Sequence, residues 1–547
     1  MDEPSDEYRQ LFKALSQKTS NADSDPTSVF RESIEFVREI ESMSQLDPLE
    51  RSYLTFSASS IAINAASDLQ DQDLLTIGLD LAERALELAD ADTAFQKQCQ
   101  YNVANAIVER ASLSLPRGPG AREDWEPQLI LSRRSQAALL RRARRLLYLI
   151  AISDRSDPHT KSAAAFNPAN ELDHSGRWSE AFDFYLRSLE ADPTNGNAAG
   201  NLASMLQHRL GRGVGQLGHL GAVYDKYVRM AKQLSSGTIE FASADVADRW
   251  ASLQETGSLG HTDHGMHLDD PYREWVAQHR LALSPAVEGL GTEADQWDTA
   301  VVDRLFTTDP SPDVPEILRQ LNVLKADFIV ARELAYSSIS EIADVFIEQL
   351  PSDSGHYVDT LDMSLFGTKY SRLLLAHRAA LDVLDKTAVV ANEHFGVDDK
   401  PSAVTFRSFW HEKSGDLRTS LVKSDGYAFP VHALDELASD ISKDGMYAEA
   451  QSLRNAGTHR IVHATLGTAS GATQRSTSSM DLLDLIESSV QALQLTRAAY
   501  LYLVDLVDEW NREEDHPGLH GRLDTATYSP PSFRNDEATP SADDGPV

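Results

Sequence analysis

Apolar side chains recur along this chain at spacings of three and four residues, and Leu74 to Asp90, LLTIGLDLAERALELAD, is representative. That period lines them up on one stripe of an α-helix, where they can be buried together. The alternation of a half-buried strand is almost absent, so the pattern predicts an all-α fold. It breaks at both ends. Residues 1–29 and the acidic tail 513–547 are rich in Pro, Ser, Asp and Gly without an apolar period, the composition of disordered termini.

The N-terminal half carries a repeat. NPANEL at Asn167 to Leu172 precedes NLASML at Asn201 to Leu206 by 34 residues, with Asn, Ala and Leu coinciding at the first, third and sixth positions. An earlier copy, YNVANA at Tyr101 to Ala106, matches FNPANE at Phe166 to Glu171 in its Asn, Ala and Asn. The period is that of a tetratricopeptide helix pair. The linking chain agrees, with Gly176 at an interhelix turn, a helix bearing Trp178, Ala181, Tyr185 and Leu189, and Pro193 closing it. Residues 30–250 therefore read as tetratricopeptide-like helical repeats, in which stacked pairs bury a continuous core. Residues 251–315 are rich in Gly, His, Asp and Pro and read as a connecting segment. Helical patterns resume over 316–350, 369–396, 431–442, 446–466 and 480–511, which predicts a helical bundle over 316–512. The two halves are expected to be separately compact.

Composition narrows the function classes. With 84 acidic against 50 basic residues the formal charge is −34, which suits a salt-rich cytoplasm and argues against broad, nonspecific nucleic-acid binding. Any RNA contact must be local. The single cysteine, Cys99, forms no intrachain disulfide, no secretory leader is recognisable, and the apolar run LLYLIAI at 146–152 is far short of a membrane span, so a cytoplasmic protein with no membrane partner is expected.

Several motifs weigh little. Gly213, Gly215 and Gly218 satisfy G-x-G-x-x-G, but the preceding chain is a helix and not the strand a dinucleotide fingerprint needs, so an interhelix loop is the better reading. His261, His264 and His267 recur at intervals of three in a loop-like, Gly-rich context, which is a poor zinc site. His411, in HEKSG, lacks the second histidine of a metalloprotease helix. No metal or cofactor is expected. Arg133, Arg134, Arg141, Arg142, Arg144 and Arg145 form the densest basic cluster, and without interleaved aromatics the favoured reading is a solvated face paired with neighbouring carboxylates.

One stretch concentrates chemistry. QSLRNAGTHRIVHATL, Gln451 to Leu466, packs Arg454, Asn455, His459, Arg460 and His463 into ten residues. On a helix Asn455 and His459 would share a face, with Arg454 rotated from His459 by roughly 140°. Histidine moves a proton near neutral pH and arginine stabilises phosphate charge through its planar fork. For RNA the nucleophile is already present as the 2′-hydroxyl.

Arg454-Asn455-Ala-Gly-Thr-His459 resembles the R-x4-6-H motif of the HEPN superfamily, with the polar residue that follows the arginine there. Tyr272-Arg273-Glu274-Trp275, LALSP at Leu281 to Pro285, LNVLKADFIVAREL at Leu321 to Leu334 and FRSFWHEKSG at Phe406 to Gly415 further resemble the LA-type HEPN family, in which helical repeats precede the HEPN bundle. The resemblance implies a metal-independent endoribonuclease with His459 as general base or acid, Arg454 stabilising the phosphorane and Asn455 orienting the pair. It also implies a homodimer through the HEPN bundle, and a role in phage defence or toxin regulation in which the repeats bind a protein partner or sense a trigger. The competing expectation is a non-catalytic helical scaffold that binds proteins, with His459 a surface histidine and Arg454 an interface ion pair.

Overall fold

The computed structural model describes residues 5–19, 25–91, 93–114, 122–211, 217–257, 270–284, 298–302, 304–307, 314–343, 355–358, 360, 363–422, 429–450, 453, 461–467, 477–511 and 521–524. The N-terminal half holds α1 (Asp6–Thr19), α2 (Pro26–Ser42), α3 (Pro48–Leu69), α4 (Gln72–Leu88), α5 (Ala94–Leu113), α6 (Arg122–Ser135), α7 (Ala137–Ala151), α8 (Pro158–His174), α9 (Trp178–Ala191), α10 (Gly196–Gly211), α11 (Leu217–Gln233), α12 (Ser235–Phe241) and α13 (Ala244–Ala251). Asp-Pro dipeptides start α2, α3 and α8. In each, the Asp side chain accepts a backbone N–H of the first turn, and the proline occupies a position whose own N–H would have no helical partner. From α2 onward helices pack largely against their neighbours in sequence. The 34-residue recurrence falls on α8 and α10, where Ala169, Leu172, Ala203 and Leu206 are all fully buried. Gly176 takes φ +80 at the end of α8, a left-handed turn that brings the Arg177 N–H to the Leu172 carbonyl at 2.8 Å.

The chain continues through α14 (Pro271–Gln278), β1 (Arg304–Thr307), α15 (Glu316–Ala343), β2 (Ser364–Leu365), α16 (Thr368–His394), α17 (Phe406–Phe409), α18 (Phe429–Asp440), β3 (Ile461–Thr465), β4 (Thr477–Asp481), α19 (Leu482–Trp510) and β5 (Gly521–Asp524). Helix α19 is the axis of the C-terminal half. It packs on α15, α16 and α18 and also on α9, and from Leu495 to Asp508 every side chain is buried. The fold is all-α with minor strands: β3 pairs antiparallel with β2 and parallel with β4, and β1 pairs with β5.

Three local expectations are corrected. The helical reading of 446–466 fails at Ile461–Thr465, where the β-branched Ile461, Val462 and Thr465 favour the strand β3. The N-terminal 29 residues are not without structure: α1 packs on α2 and α3, Leu15 is buried, and the Ser5 N–H donates to Glu50 at 2.8 Å. In the tail, Gly521–Asp524 forms β5 against β1.

The larger correction concerns the relation between the halves. Side chains from Leu15 through Phe182 to Val507 belong to one continuous apolar cluster, so the halves are not separately compact. The connecting segment is part of that core: Leu281, Ala282, Leu283 and Ser284 are buried, and Arg497 of α19 donates to the Ala282 carbonyl at 2.6 Å and to that of Ser284 at 3.1 Å. Arg332 of α15 fixes the same segment, donating to Tyr272 at 2.9 Å, to the Leu281 carbonyl at 2.8 Å and to both Asp298 oxygens.

The arginine cluster is likewise not a solvated face. Arg144 is fully buried and holds Asp440 of α18 through two hydrogen bonds, 2.8 and 3.1 Å, with Glu436 2.7 Å away. Arg177, also fully buried, donates to the same Asp440 carboxylate and to Glu180. Arg133 pairs with Glu171 at 2.8 Å, and Arg134 reaches Asp435. Among these arginines Arg142, paired with Glu83, is the one that fits the expected exposed pairing. The physical reason is that α6 and α7 place Arg133, Arg134 and Arg144 against carboxylates of α8 and α18 that are themselves buried, so these cations meet Glu171, Asp435 and Asp440 instead of water.

Asp440→Asn leaves two buried guanidinium groups short of a counter-charge and should destabilise the whole chain by about 3–5 kcal/mol. Because the halves share a core, thermal unfolding should remain one transition that shifts as a unit; two resolved transitions, with the first half unmoved, would refute the coupling. His432 is fully buried beside Glu436, and burial pulls its imidazole down to about 4 from the ordinary 6.5, so the folded state holds it neutral. Its contribution to stability is present above pH 6.5 and is lost as pH falls toward 4, because the unfolded chain takes up the proton first. His432→Leu should therefore flatten the fall in urea midpoint between pH 7 and pH 4.5, and an unchanged slope would refute this assignment.

Candidate functional site

The segment leading to the predicted motif begins where α18 ends, at Asp440. Helix α18 is buried along nearly its whole length, and after it the chain reverses so tightly that a Cβ on Gly445 would stand 2.1 Å from the Asp440 carbonyl oxygen. Only glycine fits there. The turn delivers the Tyr447 N–H to that same carbonyl at 2.8 Å.

From Met446 to Leu453 the segment is clamped on two sides. Met446, Tyr447, Ala450 and Leu453 are buried. On the N-terminal side the Tyr447 hydroxyl donates to Glu180 at 2.8 Å, with the Arg177 guanidinium 5.9 Å from its ring and Tyr148 edge-on at 5.9 Å. On the bundle side the Nε2 of His377 in α16 lies 3.1 Å from the Ala450 carbonyl. Glu180 also accepts from Tyr502 of α19 at 3.2 Å, so one carboxylate of α9 joins both tyrosines. Burial and the adjacent Glu180 push the Tyr447 hydroxyl well above its ordinary range, which keeps it a neutral donor.

Arg454, Asn455 and His459 lie outside the described residues. Their flanks are defined: the buried Leu453 precedes them, and Ile461, exposed at 67%, opens β3 after them. His463, the last imidazole of the stretch, is half-buried on β3 with its ring stacked on Phe366. At the other end of the strand Asp481 ties the site to α19, accepting the Leu483 N–H at 2.9 Å as the helix cap and the Gly467 N–H at 2.7 Å.

The electrostatics beneath this segment are those of a closed charge cluster. Burial opposes the charge on Glu436, but Arg144, His432 and Arg133 around it hold its carboxyl down at about 2. A shallower pair lies beside it. His411 donates from Nδ1 to Asp435 at 2.8 Å, and that hydrogen bond raises its pKa against the burial and the nearby Arg134 and Arg418 that lower it. The carboxylate partner explains His411 without a metal ligand role. His261, His264, His267, Gly213 and Gly215 lie outside the described residues, and Gly218 sits in α11. Among the described residues no group of three or more His, Cys, Asp or Glu could hold a metal ion, and no helix is long and apolar enough to cross a membrane.

Sequence reasoning missed Asp440, Glu180, Tyr447 and His377. Only the arginine cluster signalled the network, since cations that become buried, as Arg133 and Arg144 do, require acidic partners somewhere in the fold. The Asp-Pro helix start at Asp270-Pro271 similarly marks α14, where Tyr272 and Trp275 pack against Tyr336 of α15.

A comparison with curated proteins returns no match. A family model described as LA2681-like HEPN matches residues 308–509, which take in α15, α16, α18, the small sheet and α19. Helices gathered on one buried axis, with the Arg454 to His459 stretch carried between α18 and α19, make residues 308–509 of this chain a HEPN domain of the LA2681-like type.

Proposed function

We propose that this protein is a metal-independent endoribonuclease whose chemistry rests on Arg454, Asn455 and His459. The observation that carries the reading is the family match over residues 308–509, which encloses the R-x4-H motif. The clamped segment ending at Leu453 supports it, because a group that must meet a phosphate within a few tenths of an ångström needs a rigid support. In the proposed reaction His459 removes the proton of the 2′-hydroxyl while water protonates the departing 5′-oxygen, or delivers a proton to that oxygen while water takes the one from the 2′-hydroxyl. The 2′-oxygen bonds to phosphorus as the bond to the 5′-oxygen breaks, leaving a 2′,3′-cyclic phosphate. Arg454 stabilises the charge of the phosphorane and Asn455 orients the pair. No cofactor takes part.

The proposal extends to the remainder of the chain. The HEPN domain pairs as a homodimer, the tetratricopeptide-like helices bind a protein partner or sense a trigger, and the protein acts in the cytoplasm in phage defence or toxin-type regulation. The alternative, a helical scaffold with a structural HEPN domain, draws support from the buried Arg144–Asp440–Arg177 cluster, which joins the halves without any chemistry.

Purified protein incubated with total RNA in EDTA should release fragments with 2′,3′-cyclic phosphate ends and leave DNA untouched. His459→Ala and Arg454→Ala should each lower cleavage by about 100-fold or more while helical content and melting temperature stay near wild type. Intact RNA after incubation with a confirmed dimer would favour the scaffold. Sedimentation at micromolar concentration should show a dimer in high and low salt alike, and a monomer throughout would exclude a catalytic unit built from paired motifs.

A further inference from the structure

The register of the small sheet lines up a row of rings. Leu365 of β2 pairs with Ala464 of β3, and one step further along the antiparallel register Phe366 falls opposite His463. Their rings stack with centroids 5.7 Å apart and planes 26° apart, within the range of offset stacking. His356 closes the row on the far side, edge-on to Phe366 at 6.1 Å. On the other side the row stops among the described residues. The β4 residue paired with His463 is Ser479, which is exposed and carries a single hydroxymethyl group.

Neighbouring strands lie about 4.8 Å apart, close to the spacing of stacked rings, so the space above Ser479 is where the next ring would sit. Side chains alternate along β3, which puts Ile461 on the same face as His463, and Ile461 is 67% exposed. At the opposite end of that face Thr465 is buried, its hydroxyl donating to the Met480 carbonyl at 3.2 Å. Among the described residues the face is thus open at the Ile461 end. That end is also the one nearer the motif: His463 follows His459 by four residues, which covalent geometry limits to roughly 14 Å.

We infer that this face of β2, β3 and β4 is a seat for one unpaired RNA base, which stacks on the His463 imidazole above Ser479 and meets the Ser479 hydroxyl with its polar edge. The inference rests on the ribonuclease reading for its choice of ligand. The chain's charge favours it over a phosphate-reading surface, since a formal −34 disfavours broad contact with the backbone, whereas stacking uses the π-face every base presents. The seat selects single strands, because a paired base keeps its faces inside the duplex. It would hold a nucleotide close to the phosphate that Arg454 and His459 are proposed to cleave.

The test uses the full chain and a short single-stranded RNA carrying 2-aminopurine, whose fluorescence is quenched on stacking, with every 2′-oxygen methylated so that it cannot be cleaved by 2′-hydroxyl attack. Titration should give saturable quenching. His463→Ala should weaken binding by roughly 10-fold or more, His463→Phe should keep it, and Ser479→Tyr should abolish the quench by filling the seat, all with unchanged circular dichroism. The seat is overturned by absent quenching, by quenching indifferent to His463→Ala and Ser479→Tyr, or by equal binding of a duplex. It is also overturned if those substitutions alter self-association in sedimentation and leave RNA binding alone, which would make the face a protein interface. Wild type that quenches as described but cleaves no RNA would instead remove only the nuclease reading.

Discussion

The carboxylate of Asp440 is the interaction on which the remaining structure depends. It sits fully buried between Arg144 of α7 and Arg177, the residue just before α9, and its own helix belongs to the other half of the chain. Two guanidinium groups cannot be taken out of water without a counter-charge, so α7, α9 and α18 are placed together or not at all. Glu180 extends the same constraint to Tyr447 and Tyr502, and through Tyr502 to the central helix α19. A second lock lies further along α19, where Asp505 receives the Trp178 indole N–H at 2.8 Å and Arg209 at 2.8 and 3.1 Å, with the guanidinium 4.1 Å over the indole.

This arrangement changes what the N-terminal helices are for the HEPN domain. They are not a module tethered by a linker, since Glu180 of α9 bonds directly to the tyrosine seven residues before Arg454. Anything that moved α9 would have to break a buried hydrogen bond to a buried carboxylate, and a lost partner there costs more than an exposed bond. The support of Tyr447 and Ala450, which precede Arg454 in the chain, is therefore shared between α9, through Glu180, and α16, through His377. Further along the chain Asp481 fastens Gly467, just past β3, to the start of α19.

Much of the fold was legible because its signals are local. Helical periodicity is a property of a dozen consecutive residues, and α4, α16 and α19 follow it within a few positions, as does the start of α15. Caps are equally local, and the Asp-Pro starts of α2, α3 and α8 could be read residue by residue. The reading failed where a local signal was weak or misleading. Ile461 to Thr465 continues a helical pattern on paper, yet its β-branched residues pair with β2 and β4, which lie nearly 100 residues before and about 15 after. A strand of five residues has no periodicity strong enough to announce itself against a preceding helix.

The candidate site divides the same way. The motif Arg454-Asn455 to His459 and its family were recognisable from short strings, since spacing and residue type survive without coordinates. Asp440, Glu180 and His377 were not, because an acidic chain offers many carboxylates and nothing in the one-dimensional order says which will be buried. The arginine cluster shows the limit most plainly: six arginines within 13 residues signal positive charge, and only packing decides whether that charge meets water or Asp440. By itself the sequence determined the helical class and the family of the C-terminal domain, each carried by short strings of neighbours in the chain. Tertiary structure alone decided that the halves share one core and that the segment from Tyr447 to Ala450 is held from both, because the burial of a charge depends on residues some 300 positions away.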